Sequence, residues 1–298
     1  MNIDEIKQII EGFDYVSFDI FDTLLFRSVA KPEDVFYMVE QLYNNHHSQK
    51  ISCFQKKRIK AEKMARAKKS DMEVNLYDIY SFLNYDNDIK NELKELECLY
   101  EINNCIANSS MLSLVSWCKS QGKTIVIITD MYLDRKTISQ ILSKIGCVYD
   151  KLYISGEIGQ TKRQGNLFQY VLNDLSINAS LLIHFGDNKL SDMENPSKLG
   201  IRAIERLTDF DSAMIEVATT FLTPLCRDFC IWIHKKKEEE QIDKLCFVAR
   251  EGFLLKKVYD IMYPLEKEQT AYIRINKNIL KKVMIKLKRL INNILVVL

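Results

Sequence analysis

The stretch Val16-Ser17-Phe18-Asp19-Ile20-Phe21-Asp22-Thr23-Leu24-Leu25 constrains the fold more than any other part of the chain. An apolar run reaches an aspartate, and four residues later a threonine precedes two leucines. A strand buried on both faces of a parallel sheet reads this way, ending in a loop that holds a carboxylate at the sheet's carboxyl edge.

Further strand and helix signals alternate downstream. Thr124 to Ile128 is a near-continuous β-branched run, expected as a fully buried parallel strand. Lys151–Ile154, Leu181–Phe185 and Gly200–Ile204 read as further strands, separated by helices at Leu133–Ile145 and Leu167–Leu175. Short links between such elements imply an α/β fold with a doubly wound parallel sheet. Before this alternation, from Lys31 to Asn108, apolar residues recur at spacings of three and four, as at Val35, Met38, Val39 and Leu42. That stretch is expected to be an all-helical insert with no strand inside it, beginning at Lys31-Pro32-Glu33-Asp34. Its middle, Gln55 to Lys69, is strongly basic and reads as a solvated helix face; without interleaved aromatics it does not suggest nucleic-acid binding.

Composition narrows the class. The chain has 298 residues, 47% apolar and 28% charged, with a net charge of +2, so it is no polyelectrolyte. Eight cysteines form no Cys-x-x-Cys pair, which favours free thiols over a disulfide framework. Neither a secretory leader nor an apolar run of about 18 residues is visible, so a cytoplasmic protein is expected.

Four loops are expected to open at one sheet edge. They offer Asp19, Phe21 and Asp22; Thr129 and Asp130; Gly159-Gln160-Thr161-Lys162; and Gly186-Asp187-Asn188 with Asp192. Phosphoryl transfer needs such an inventory: hard oxygens for Mg²⁺, a cation on the phosphate oxygens, and a nucleophile. His184, inside an apolar strand, reads as a satisfied core histidine, and Asp130 as a helix N-cap or a supporting carboxylate.

With these four motifs in order, the sequence resembles the haloacid dehalogenase-like (HAD) superfamily over about residues 13–205, with the insert at the place of a C1-type helical cap. The resemblance implies a Rossmann-like core at 1–27 and 109–207, a cap at 28–108, and a C-terminal extension at 208–298 of partial α/β or helical character. It implies a Mg²⁺-dependent phosphatase for a small phosphorylated metabolite such as a sugar phosphate. Asp19 would be the nucleophile, forming an aspartyl-phosphate; Thr129, Asp130 and Lys162 would bind phosphate; Asp19, the Phe21 carbonyl, Asp187 and Asp192 would hold the metal. One position departs from the pattern: most phosphatases of the superfamily have a second Asp two residues after the nucleophile, where this chain has Phe21. Either Asp22 takes over the proton transfer or the leaving group needs none. Two alternatives follow, a weakly active phosphate-binding module and a dehalogenase-like hydrolase; the acidic pair Asp187/Asp192 ranks metal-dependent chemistry first. Arg27, at the cap junction, is a candidate for an anionic substrate group.

The C-terminal third is less informative. Leu245 to Leu255 reads as strand, tight turn and helix, similar to an Ala-Arg-Asp-Gly-type segment in HAD-like proteins of polysaccharide biosynthesis settings, with Arg250 and Glu251 as site relics. Ile279 to Leu298 reads as a basic amphipathic helix. Packing on its own domain is expected of it rather than membrane-surface contact. Its composition also fits a truncated or out-of-frame end.

Overall fold

A computed structural model describes residues 3–29, 31–69, 72–207, 214, 217–274 and 294–297. The chain divides into two compact units, Met1–Thr219 and Thr220–Leu298.

In the first unit, helix α1 (Ile3–Glu11) leads into β1 (Tyr15–Phe18), and a short strand β2 (Leu25–Arg27) follows. Four helices come next: α2 (Asp34–His46), α3 (Phe54–Lys68), α4 (Leu76–Ser81) and α5 (Asn87–Asn103). Then come β3 (Cys105–Ala107), α6 (Ser109–Ser120), β4 (Thr124–Thr129), α7 (Arg135–Lys144), β5 (Lys151–Ile154), α8 (Ser155–Ile158) and α9 (Asn166–Leu175). The unit closes with β6 (Leu182–Gly186), a π-helical turn at Lys189–Glu194, α10 (Asn195–Lys198) and β7 (Arg202–Glu205). The five long strands pair all-parallel in the order β5-β4-β1-β6-β7, so the expected α/β doubly wound sheet is present. Strand order reverses at β1, and the loops after β1, β4 and β6 therefore meet at one edge, where α/β sheets form their crevices.

The apolar run of β4 serves both faces of the sheet. Ile125 and Ile127 join one core cluster, with Val16 and Phe18 of β1, while Val126 and Ile128 join a second with Leu167, Phe168 and Val171 of α9. The period-two alternation of a strand divides them, which is why a strand covered on both faces reads as continuous apolar sequence. Each such side chain, removed from water, contributes about 1.5–3 kcal/mol.

The insert is helical, but its ends are not. Strands β2 and β3 pair antiparallel, Leu25 opposite Ala107 and Arg27 opposite Cys105, so the chain enters and leaves the insert through a two-stranded ribbon. This corrects the strand-free expectation for 31–108. Helix α2 starts at Asp34 rather than at Pro32, and the Asp34 carboxylate accepts the Lys31 amide at 3.2 Å. Helix α3 also departs from a wholly solvated face. Its Phe54, Arg58, Ala61 and Ala65 form a buried stripe, and Arg58 pairs with Glu97 of α5 through two bonds of 2.8 and 3.0 Å, both side chains fully buried. The Tyr80 hydroxyl donates to the same carboxylate at 2.7 Å, and the Phe36 and Tyr132 rings flank the guanidinium.

The second unit holds the helix Thr223–Glu239, strand β8 (Lys244–Val248), the helix Ala249–Met262, β9 (Thr270–Ile273) and β10 (Ile294–Val297). The strands are parallel in the order β10-β8-β9, over a core of Cys230, Ile233, Leu245, Phe247 and Tyr259. Strand–helix succession at 244–262 matches the sequence reading. The expected helix over Ile279–Leu298 is not continued at its end, because Ile294–Val297 pair with β8 as a strand. The rest of that expectation, and the side chains of Arg250 and Glu251, lie outside the described residues. Every cysteine is a free thiol. Among the described residues, no helix is long and apolar enough to cross a membrane.

Candidate active site

Asp19 follows the last residue of β1, and its amide extends the sheet pairing by donating to the Phe185 carbonyl at 2.9 Å. The chain then turns sharply: the Ile20 carbonyl accepts the amides of Thr23, Leu24 and Leu25, and Asp22 takes a left-handed φ of 58°. This turn leaves the Asp19 carboxylate at the edge, 7% exposed. Beside it, Thr129 ends β4 and is buried.

Lys162 arrives on a loop pinned from several directions. Asp130 accepts the Lys162 amide at 2.7 Å and the Arg163 amide at 3.1 Å. The Asn195 side-chain amide donates to the carbonyls of both residues, and the Thr161 hydroxyl caps the turn by accepting from the Gln164 amide. The Lys162 Nζ is thereby placed 2.6 Å from Asp19 Oδ1 and 2.6 Å from Asp192 Oδ1, nearly excluded from water. Asp130 does not cap the following helix. Asp134 does, accepting the Thr137 amide at 2.9 Å, so the carboxylate of Asp130 is free to hold the lysine loop.

Asp187 and Asp192 come from the segment after β6. Asp192 lies in the π-helical turn; its Oδ2 accepts the Asn188 amide at 3.0 Å, and its Oδ1 takes Lys162 and, at 3.3 Å, His184 Nε2. Gly186 makes room for it, since a Cβ there would stand 2.4 Å from the Asp192 Cβ. Asp187 is exposed and meets the Thr23 hydroxyl at 3.4 Å. One oxygen from each of Asp19, Asp187 and Asp192 lies within 4.8 Å of the others.

The electrostatics of this edge are unbalanced. Burial, reinforced by the charges of Asp192 and Asp187 and opposed by Lys162, pushes the Asp19 carboxyl up to about 7. Burial and the neighbouring carboxylates Asp22 and Asp192 push Asp187 up to about 6. Asp192 goes the other way: against the cost of burial, Lys162 and His184 hold it well below the usual carboxylate range. Lys162 is raised because its acidic neighbours outweigh its desolvation. Three converging carboxylates thus face a single buried ammonium. A hard cation with oxygen ligands fits both the donor set and the surplus negative charge.

Two residues behave differently from the sequence reading. Arg27 does not reach out for an anion: its guanidinium bonds the Glu101 carboxylate at 3.1 and 3.3 Å and lies 3.8 Å from the centre of the Phe21 ring. Phe21 is accordingly buried, whereas Asp22, one residue on, is exposed. His184 is a satisfied core histidine as expected, with Ser17 Oγ at 2.8 Å from Nδ1, but its other nitrogen touches Asp192. Since Asp192 is a charged acceptor, Nε2 carries the proton and the Ser17 hydroxyl donates to Nδ1. Ser17 and His184 face each other across β1 and β6. Both are polar residues interrupting apolar runs on strands that lead to candidate site aspartates, which is the signal the sequence carries for them.

No family profile matches the sequence, and no curated protein matches it. Solved structures do. The chain is similar to a 2-haloacid dehalogenase from Pseudomonas syringae, with 14% identity over 67% of this chain and 90% of that one and a TM-score of 0.49. It is similar to a HAD hydrolase from Bacillus subtilis solved with bound magnesium (15% identity, 67% and 96% coverage, TM-score 0.46). A third is described as a predicted phosphoglycolate phosphatase from Haemophilus somnus (12% identity, 68% and 91% coverage, TM-score 0.42).

Proposed function

We propose that the protein is a HAD-like, Mg²⁺-dependent phosphohydrolase acting on a small phosphorylated metabolite through an aspartyl-phosphate at Asp19. The observation that carries this reading is the convergence of Asp19, Asp187 and Asp192 around Lys162 at the carboxyl edge of the sheet. The Asp19 carboxylate attacks the phosphorus; the bond to the leaving oxygen breaks, and water then releases phosphate from the acyl-phosphate formed. Lys162 holds Asp19 in place and faces the phosphate oxygens, while the Thr129 hydroxyl is a donor to them. The carboxylate oxygens of Asp130 are occupied by the Lys162 and Arg163 amides, so this residue shapes the pocket by setting the lysine loop. Asp19, Asp187, Asp192 and the Phe21 carbonyl would hold Mg²⁺, which when bound neutralises charge on the transferring group. Both oxygens of Asp192 already accept hydrogen bonds, which favours an outer role for it and a direct one for Asp19 and Asp187.

Asp22 is the acid/base candidate. It is exposed, and its charge is felt at both Asp187 and Arg27. The buried Phe21 favours a second reading, a phosphate-binding module with little turnover. The eight free thiols support a reducing, cytoplasmic setting. Release of phosphate from a panel of phosphomonoesters, with and without Mg²⁺, separates the readings. Metal-dependent turnover lost in Asp19→Asn supports the covalent mechanism; turnover at the wild-type rate in Asp19→Asn rules out Asp19 as nucleophile. Phosphate binding without turnover of any ester supports the module.

A further inference from the structure

Two buried polar residues beside the site have no part in the chemistry assigned to it. Ser17 on β1 and His184 on β6 stand opposite each other in the register of the sheet, and neither is exposed to water. An apolar pair would fill the same space without burying a hydroxyl and an imidazole, each of which needs partners there. Their partners lead in one direction. The Ser17 hydroxyl lies 2.8 Å from His184 Nδ1 and 3.2 Å from the Ile183 carbonyl, and its one proton goes to the nitrogen, which has none of its own. The Phe168 ring meets the imidazole edge to face, with ring centres 4.9 Å apart, and fixes the plane of the ring. Nε2 is thereby aimed at Asp192 Oδ1, 3.3 Å away.

Asp192 is a residue that needs aiming. It sits in the irregular π-helical turn Lys189–Glu194, with three donors to distribute over two oxygens. Oδ1 takes His184 and the Lys162 ammonium, and Oδ2 takes the Asn188 amide at 3.0 Å. This has two effects on the site. Lys162 is shared between Asp192 and Asp19 instead of being paired with Asp19 alone. The Asn188 amide is tied down beside Asp187, which in the phosphohydrolase reading ligates the metal directly. A turn of the Asp192 carboxylate would undo both.

We propose that Ser17 and His184 are positioning residues: Ser17 holds the imidazole so that Nε2–H fixes the Asp192 carboxylate, and through it the Lys162 ammonium and the Asp187 loop. The inference rests on the phosphohydrolase reading for what the site does, and on strand geometry alone for how the brace is made. Anchoring the brace on two central strands gives a precision that a loop does not. Partners of this kind commonly set metal affinity or activity by about 10–100-fold.

The test uses two amides of different reach in the full-length protein. In His184→Gln the side-chain nitrogen takes the place of Nε2 and still donates to Asp192; in His184→Asn the shorter side chain ends near the Nδ1 position, toward Ser17. Mg²⁺ binding, measured by calorimetry, is expected to weaken about tenfold or more in His184→Asn and to stay within about threefold of the wild type in His184→Gln. Ser17→Ala is expected to shift in the same direction as His184→Asn by a smaller factor, and no shift removes Ser17 from the brace. Equal affinity in the two His184 variants, both retained or both weakened, means that His184 only packs and overturns the proposal. If the wild type binds no Mg²⁺, the metal assignment fails separately, and the brace is read without metal. Hydrogen exchange of the Asn188 amide is then expected to be as slow in His184→Gln as in the wild type and faster in His184→Asn; equal exchange in the two variants overturns the proposal. The ring-nitrogen chemical shifts of His184 in the wild type need no substitution. They are expected to place the proton on Nε2, and a proton on Nδ1 alone overturns the proposal as well.

Discussion

In the helical insert, Arg58 and Glu97 are both fully buried, and each finds its opposite charge in good bidentate geometry. At the carboxyl edge of the sheet, Lys162 is just as buried, but three carboxylates converge on it. The insert's pair is closed: the Tyr80 hydroxyl and flanking aromatic rings complete its surroundings, and the neighbouring Arg27–Glu101 pair repeats the pattern. The edge is open, with Asp19 and Asp187 pushed to about 7 and about 6 by burial and by the charge around them. Buried charge that is neutralised in place serves the fold; buried charge left in surplus is poised for something added from outside. Clustered acids and bases therefore give a clamp between helices in one region and a candidate site at the ends of strands in the other.

Substitutions sharpen that contrast, beginning with the largest effect. Asp19→Asn is expected to reduce phosphate release by about 10⁴-fold or more, since removing a nucleophile commonly costs that much. Thermal unfolding of the metal-free variant should show a midpoint equal to or above the wild type's, because one of the mutually repelling carboxylates is gone. A large drop in stability would make Asp19 a structural residue of the Arg58 kind. Glu97→Gln should behave in the opposite manner, losing about 3–5 kcal/mol of stability, as measured by urea unfolding, because the buried Arg58 keeps only the partly exposed Glu62 as its acidic partner. Should Glu97→Gln unfold like the wild type, the insert's pair would not be the clamp described. His184→Leu, which deprives Asp192 of one donor but leaves it Lys162, is expected to cost about 1–3 kcal/mol. It should also raise the Mg²⁺ concentration needed for half-maximal activity, an effect that a role limited to packing would not produce.

The two regions are unequally legible in the sequence. The edge announces itself because each apolar strand runs directly into its functional residues, as β1 does into Asp19 and β4 into Thr129. The insert's clamp does not, because Arg58 and Glu97 are 39 residues apart in chain and nothing local distinguishes Arg58 from the exposed basic residues around it. The ribbon of β2 and β3 escaped for another reason: strands of three residues are too short to display a period of two. Asp130 reads in the sequence as the cap of the following helix or as a supporting carboxylate, but the backbone path gives the cap to Asp134. Arg27 looked available to substrate because Glu101, its partner, is 74 residues away.

The central contrast is tested most directly by thermal unfolding with and without saturating Mg²⁺ for the wild type, Asp187→Asn and Glu97→Gln. A ligand at about 100 times its dissociation constant stabilises by about 2.7 kcal/mol. The wild type and Glu97→Gln should both gain a midpoint shift of that order, and Asp187→Asn should gain little or none. Absence of a Mg²⁺ shift in the wild type, or an undiminished shift in Asp187→Asn, would contradict the assignment of the surplus carboxylates to a metal.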